Sequence, residues 1–156
     1  MKLLITSTDA IYDKQKGGFF DGIIDTLEYF LSLSEEHEVV VISVHKQSLS
    51  KIPNSLKTLN LSQNKKLRMS PDLIKLISEK LEIVYEDFIV LGAKNSDMIL
   101  AANAKILLLT ADYAKSNNPN DSIYVDKYGI AIYDDKRLKY FFDHYLNIET
   151  PWFFFI

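Results

Sequence analysis

The stretch that most constrains this chain is its start, Met1-Lys2-Leu3-Leu4-Ile5-Thr6-Ser7-Thr8-Asp9. Three apolar residues, Leu3 to Ile5, give way at once to Thr6, Ser7, Thr8 and Asp9. An apolar run without alternation is the pattern of a strand buried on both faces, as in a parallel sheet covered by helices. In such sheets ligands sit in the crevice beyond the carboxyl ends of the strands. The hydroxyls and the acid therefore predict a polar site where this first strand ends.

The rest of the chain repeats the alternation. Val39 to Ile42, Leu56 to Leu61, Phe88 to Leu91 and Lys105 to Leu109 read as further strands, the second of them nearer an edge. Phe20, Ile23, Ile24, Leu27, Phe30 and Leu31 recur at helical spacing and predict a helix over 20–33. A short helix is expected over 47–51. Ser70-Pro71-Asp72 is a helix start, with a capping hydroxyl, proline at the first position and an acid in the first turn. Leu73, Leu76, Ile77 and Leu81 continue it. Asn95 to Ala102 predicts another helix. A last one carries Leu138, Phe141, Phe142, Tyr145 and Leu146, with Asp134 and Asp135 at its N-terminus. Residues 10–18 read as a loop or small flap over the crevice. Residues 112–122 read as a loop, and 123–132 as a hairpin turning near 127–129. Strands alternating with helices predict an α/β, three-layer, Rossmann-like fold with a central, mainly parallel sheet of about five strands. The 156 residues, with no repeat and no long linker, fit one domain over 1–156.

Composition narrows the function. Net charge is -3 with a pI near 5.6, so no global basic field points to nucleic acid or a membrane surface. There is no cysteine, which excludes disulfides, thiolate metal sites and a cysteine nucleophile. No apolar run reaches the roughly 18 residues of a membrane span. The start of the chain lacks the apolar core of a signal peptide, and a cytoplasmic location is expected. His37, His45 and His144 are scattered, without metal-ligand or triad spacing.

Four segments, in order, resemble the haloacid dehalogenase (HAD) superfamily, most of whose members are phosphatases using an aspartate nucleophile and Mg²⁺. The first motif, a strand ending in Asp-x-Asp, is matched in register by Ser7-Thr8-Asp9. The second, a Ser or Thr ending the next strand, is matched by Ser43. The third, a basic residue before a helix, is matched best by Arg68, with Lys66 close by. The fourth, a strand followed by Gly-Asp-x-x-x-Asp, is matched by Gly92-Ala93-Lys94-Asn95-Ser96-Asp97. The resemblance covers residues 1–112 and leaves the hairpin, last helix and aromatic tail of 113–156 outside it. It implies a HAD-like fold, a phosphate-binding crevice and a metal site. The intervals after Asp9 and after Ser43 are too short for an inserted cap domain. Capless members often act on large substrates.

The departures fall on the chemistry. The resemblance puts the nucleophile at Ser7 and a main metal ligand at Ala93. A carboxylate is needed to attack phosphorus, and Mg²⁺ needs hard oxygen ligands. The candidate inventory is then Asp9 and Ser7 as catalytic residues, Thr8, Ser43, Lys66 and Arg68 as phosphate contacts, and Asp97 as a metal ligand. Mg²⁺ is expected to bind weakly. Two readings follow. One is a phosphatase-like domain, catalytically impaired, that binds a phosphate, another small anion or a protein. The other is a working Mg²⁺-dependent phosphohydrolase with an atypical site, acting on a phosphorylated macromolecule or small molecule. The tail Trp152-Phe153-Phe154-Phe155-Ile156 offers an aromatic anchor for a protein partner or a homodimer.

Overall fold

The structure is a computed structural model and describes residues 2–83 and 87–146. Its first strand, β1 (Leu3–Ser7), is buried along its whole length. It runs parallel between β4 (Glu38–Ser43) and β6 (Phe88–Gly92), with Ser7 opposite Ile42 and Thr6 opposite Leu91. The sheet extends on one side to β5 (Lys57–Asn60) and on the other to β7 (Leu107–Ala111) and β8 (Ile130–Ile132). The order is β5-β4-β1-β6-β7-β8, with every pairing parallel. Between β1 and β4 lie a short helix α1 (Thr8–Ile11), the antiparallel hairpin β2 (Tyr12–Asp13) and β3 (Gly18–Phe19), and helix α2 (Ile23–Ser32). Helices α3 (Pro71–Leu81), α4 (Asn95–Ala104) and α5 (Asp135–His144) complete the layers.

Two cores sandwich the sheet. On one face Leu4, Val39, Val41, Leu91 and Leu109 pack against Leu27 and Phe30 of α2 and Leu138, Phe141 and Phe142 of α5. On the other, Leu3, Ile5, Val40, Ile42 and Val90 pack against Leu73, Ile74 and Ile77 of α3 and Leu100 and Ala101 of α4. Successive strand residues alternate between the two clusters, as side chains on a pleated strand must. Thr6 is one of several buried polar residues on these strands. Its buried hydroxyl donates to Leu91 O at 2.8 Å, which satisfies a polar group inside the sheet.

The predicted helix start at Ser70 is present: Ser70 Oγ accepts from Asp72 N at 3.1 Å with Pro71 opening α3. Asp134 caps α5, accepting from Arg137 N at 2.8 Å. Other expectations need correcting. The helix over 47–51 is a 3-10 turn, Lys46–Lys51. The hairpin over 123–132 does not form. Its first half is a 3-10 turn, Val125–Lys127, and its second half is β8, a sixth strand paired in parallel with β7. The reason is local anchoring. Thr110 Oγ1 donates to Val125 O and Tyr128 O, and Asn95 Oδ1 accepts from Tyr124 N and Val125 N, so the turn is pinned to the end of the sheet. Gly129 then carries the chain into β8 at φ 81°, where a Cβ would come within 2.7 Å of Leu108 O. The tail Trp152–Ile156 lies outside the described residues.

His37, at the entry to β4, stacks on Phe30 with ring centroids 4.6 Å apart, and its Nδ1 accepts from Lys2 N at 3.0 Å. Burial and nearby positive charge, including Lys2, push this imidazole below the ordinary histidine value, against the opposing pull of Asp87 and Glu36. Between the folded pKa and the usual unfolded value near 6.5 the unfolded chain binds more protons. Stability is therefore expected to fall as pH drops through that window, and His37→Gln should flatten the dependence. Urea midpoints measured between pH 7.5 and 5 in both proteins check this; identical slopes would contradict it.

Candidate functional site

The carboxyl ends of β4, β1 and β6 lie side by side, and this brings most of the predicted residues together. Ser7 ends β1 and is 2% exposed; its Oγ is buried with no hydrogen-bond partner. Thr8 and Asp9 open α1 directly beyond it. Ser43 ends β4 next door, but its hydroxyl is locally committed. It bonds Ser48 Oγ at 2.9 Å and His45 O at 3.1 Å and accepts from His45 N at 3.0 Å.

Arg68 and Asp97 sit on the neighbouring side. The basic segment before α3 coils into a 3-10 turn, Lys65–Met69, which turns Arg68 inward and leaves Lys66 exposed. Arg68 Nη2 donates to Asp97 Oδ1 in a buried ion pair. The other Asp97 oxygen accepts from Ala93 N at 2.9 Å and Lys94 N at 3.1 Å. The Asp97 side chain lies over Gly92, where an added Cβ would meet Asp97 Cβ at 2.3 Å, so the glycine makes room for the acid. Both Asp97 oxygens are thus engaged by the protein itself.

Asp9 is the centre of a second charged cluster. Lys14 Nζ, from the hairpin, lies 3.3 Å from its Oδ1, and Lys94 Nζ, from the N-cap of α4, lies 3.5 Å from its Oδ2. Asn118 Nδ2 donates to Oδ1 at 3.0 Å. Burial pushes the Asp9 carboxyl up, but Lys94, the Asn118 hydrogen bond and Lys14 outweigh it, and the group is held below the ordinary carboxylate value. A general acid at neutral pH needs the opposite shift. Asp9 is an ionised, doubly paired carboxylate.

Asn117 fixes the surrounding backbone. Its Nδ2 donates to Asp9 O and Tyr12 O at 3.0 and 2.7 Å, and its Oδ1 accepts from Lys14 N at 3.1 Å. Tyr113, in the same 3-10 turn after β7, donates to Ala10 O at 2.7 Å. In front of Thr8 opens a cleft of about 460 Å³, walled by Tyr12 and Lys14 of the hairpin and by His45, Ser48 and Lys51 beyond β4. Lys51 Nζ donates to Tyr12 OH at 3.1 Å and lies 4.8 Å above the ring. The cleft thus has cationic and hydroxyl groups on an aromatic wall, a chemistry suited to a small anion. Sequence reasoning missed Lys14, Lys94, Lys51, Asn117 and Asn118. Lys94 alone carried a signal, standing directly after Gly92-Ala93 where the fourth strand ends.

A Mg²⁺ ion does not fit these donors. Ser7 offers a neutral hydroxyl and Ala93 nothing, while Asp9 and Asp97 are each matched by protein cations. Among the described residues no group of three or more His, Asp or Glu side chains could hold a metal. No described helix is long and apolar enough to cross a membrane.

Six parallel strands between helical layers, with a polar site where the central strands end, define a Rossmann-like α/β fold. The crystal structure of D,D-heptose 1,7-bisphosphate phosphatase from Burkholderia thailandensis shares it, with a TM-score of 0.54 over 95% of this chain and 100% of that one, at 16% sequence identity. Likeness at that identity speaks for the fold alone. No protein-family model and no curated protein matches the sequence.

Proposed function

We propose that this chain is a HAD-fold protein that binds a phosphate or similar small anion in the cleft beyond β1 and is catalytically impaired. One observation carries the reading: the two carboxylates that could serve chemistry are already neutralised, Asp9 by Lys14 and Lys94 and Asp97 by Arg68. Phosphoryl transfer by the mechanism the resemblance implies needs a carboxylate nucleophile and a metal beside it. Position 7 supplies a hydroxyl with no base bonded to it, and position 93 supplies no ligand. The cleft keeps its positive and hydroxyl groups, which suits anion binding. The structural neighbour is named for a sugar bisphosphate, which puts phosphorylated sugars among the ligands worth testing.

The test is hydrolysis of a generic aryl phosphate with and without Mg²⁺. Turnover is expected near background, because each tenfold of rate corresponds to about 1.4 kcal/mol of barrier and both the nucleophile and a ligand are missing. Robust Mg²⁺-dependent turnover that disappears in Asp9→Asn would overturn the reading and favour a working hydrolase with an atypical site.

A further inference from the structure

We propose that the ammonium groups of Lys14, on the cleft wall, and Lys94, behind it on Asp9, take the place of a divalent cation at the end of β1, making the cleft a phosphate site that works without metal. The proposal rests on the anion-binding reading above and goes further by naming the charges that do the binding.

Lys14 and Lys94 come from separate elements, the hairpin and the N-cap of α4, and pair with different oxygens of the same carboxylate. Two ammonium groups against one carboxylate leave an excess of one positive charge at the end of β1. A divalent cation approaching Asp9 would face both at close range, whereas a phosphate would meet attraction. The two lysines are not equivalent. The Lys94 side chain is 29% exposed and anchored beside Asp9, while that of Lys14 is 58% exposed and forms part of the cleft wall. Lys14 can therefore turn from Asp9 to a phosphate oxygen while Lys94 keeps Asp9 paired. Lys51 also lines the cleft, held by the Tyr12 hydroxyl, and has no carboxylate partner among the described residues. Ammonium–phosphate hydrogen bonds are of the stronger, charge-assisted kind.

The experiment is calorimetric titration of the full chain with inorganic phosphate, once in EDTA and once in excess Mg²⁺, alongside the aryl phosphate assay. Affinity is expected to agree within about twofold between the two buffers. Lys14→Gln should weaken binding about tenfold or more, as loss of a charged hydrogen bond implies, and Lys94→Gln should weaken it as well, because Asp9 then keeps Lys14 as its one lysine partner among the described residues. Lys94→Arg should retain most of it, which separates charge from folding. Lys57→Gln, on the edge strand and paired with Glu38, should leave binding unchanged. Phosphate binding that requires Mg²⁺, or that is untouched by either glutamine substitution, overturns the proposal while leaving an impaired anion-binding protein in place. Metal-dependent turnover with intact binding in EDTA overturns the impaired reading and leaves this one standing. Absence of phosphate binding in both buffers overturns both.

Discussion

Arg68→Ala is expected to destabilise the fold by about 3–5 kcal/mol, the usual cost of stripping one partner from a buried ion pair. Asp97 would keep its two backbone donors, Ala93 N and Lys94 N, but lose the only cation bonded to its other oxygen among the described residues. Its side chain is 3% exposed, so water cannot take over the charge. Against a typical total of about 5–15 kcal/mol, the loss puts the chain near its folding threshold. A variant combining Arg68→Met with Asp97→Asn should recover most of the difference, because it removes the charge as well as its partner. Urea denaturation of the single and double variants measures this. A single-variant cost below about 1 kcal/mol would place the pair in the class of solvent-screened surface bridges and contradict the buried geometry.

Ser7→Asp combined with Ala93→Asp should invert the ligand preference of the cleft. The two positions are 2% and 1% exposed, so the new carboxylates would act in a poorly screened environment. A unit charge about 4–6 Å from a phosphate oxygen interacts with it by roughly 3–4 kcal/mol at an effective dielectric near 20. Phosphate affinity is expected to fall more than about a hundredfold. The double variant should also melt below the parent in EDTA and regain stability when Mg²⁺ is added, since a ligand that binds only the folded state stabilises it. Thermal melts and phosphate titration check both halves. Unchanged phosphate binding with no response to Mg²⁺ would mean that positions 7 and 93 do not face the charged cluster.

The parts of this protein legible in the sequence are those that depend on local pattern. Leu3 to Ile5, Val39 to Ile42 and Phe88 to Leu91 lie where their unbroken apolar runs put them, because a strand buried on both faces has no room for alternation. Ser70-Pro71 opens α3 because capping chemistry acts over three residues. What escaped is set by distant partners. β8 reads as the return strand of a hairpin, and its parallel pairing with β7 is not marked in its three residues. Arg68 reads as a phosphate contact, but Asp97, 29 residues away, takes its guanidinium into a buried pair. The hydroxyl of Ser43 matched the resemblance but closes a local turn. The pairing of Asp9 with Lys14 and Lys94 reflects how a hairpin and a helix cap meet in space, and no spacing along the chain announces it.

The side chains that fasten the near wall of the cleft have a consequence for how the protein is made. The bonds from Tyr113, Asn117 and Asn118 to the segment 9–14 each span between 103 and 109 residues of chain. Domains emerge from the ribosome N-terminus first. Asp9 and the hairpin are therefore made before their partners, with Asp9 lacking its amide partner and the hairpin lacking its clamp. The hairpin wall of the cleft is fastened only after the turn beyond β7 has been translated. A ligand held there can stabilise the finished protein, but it arrives too late to template the growing one.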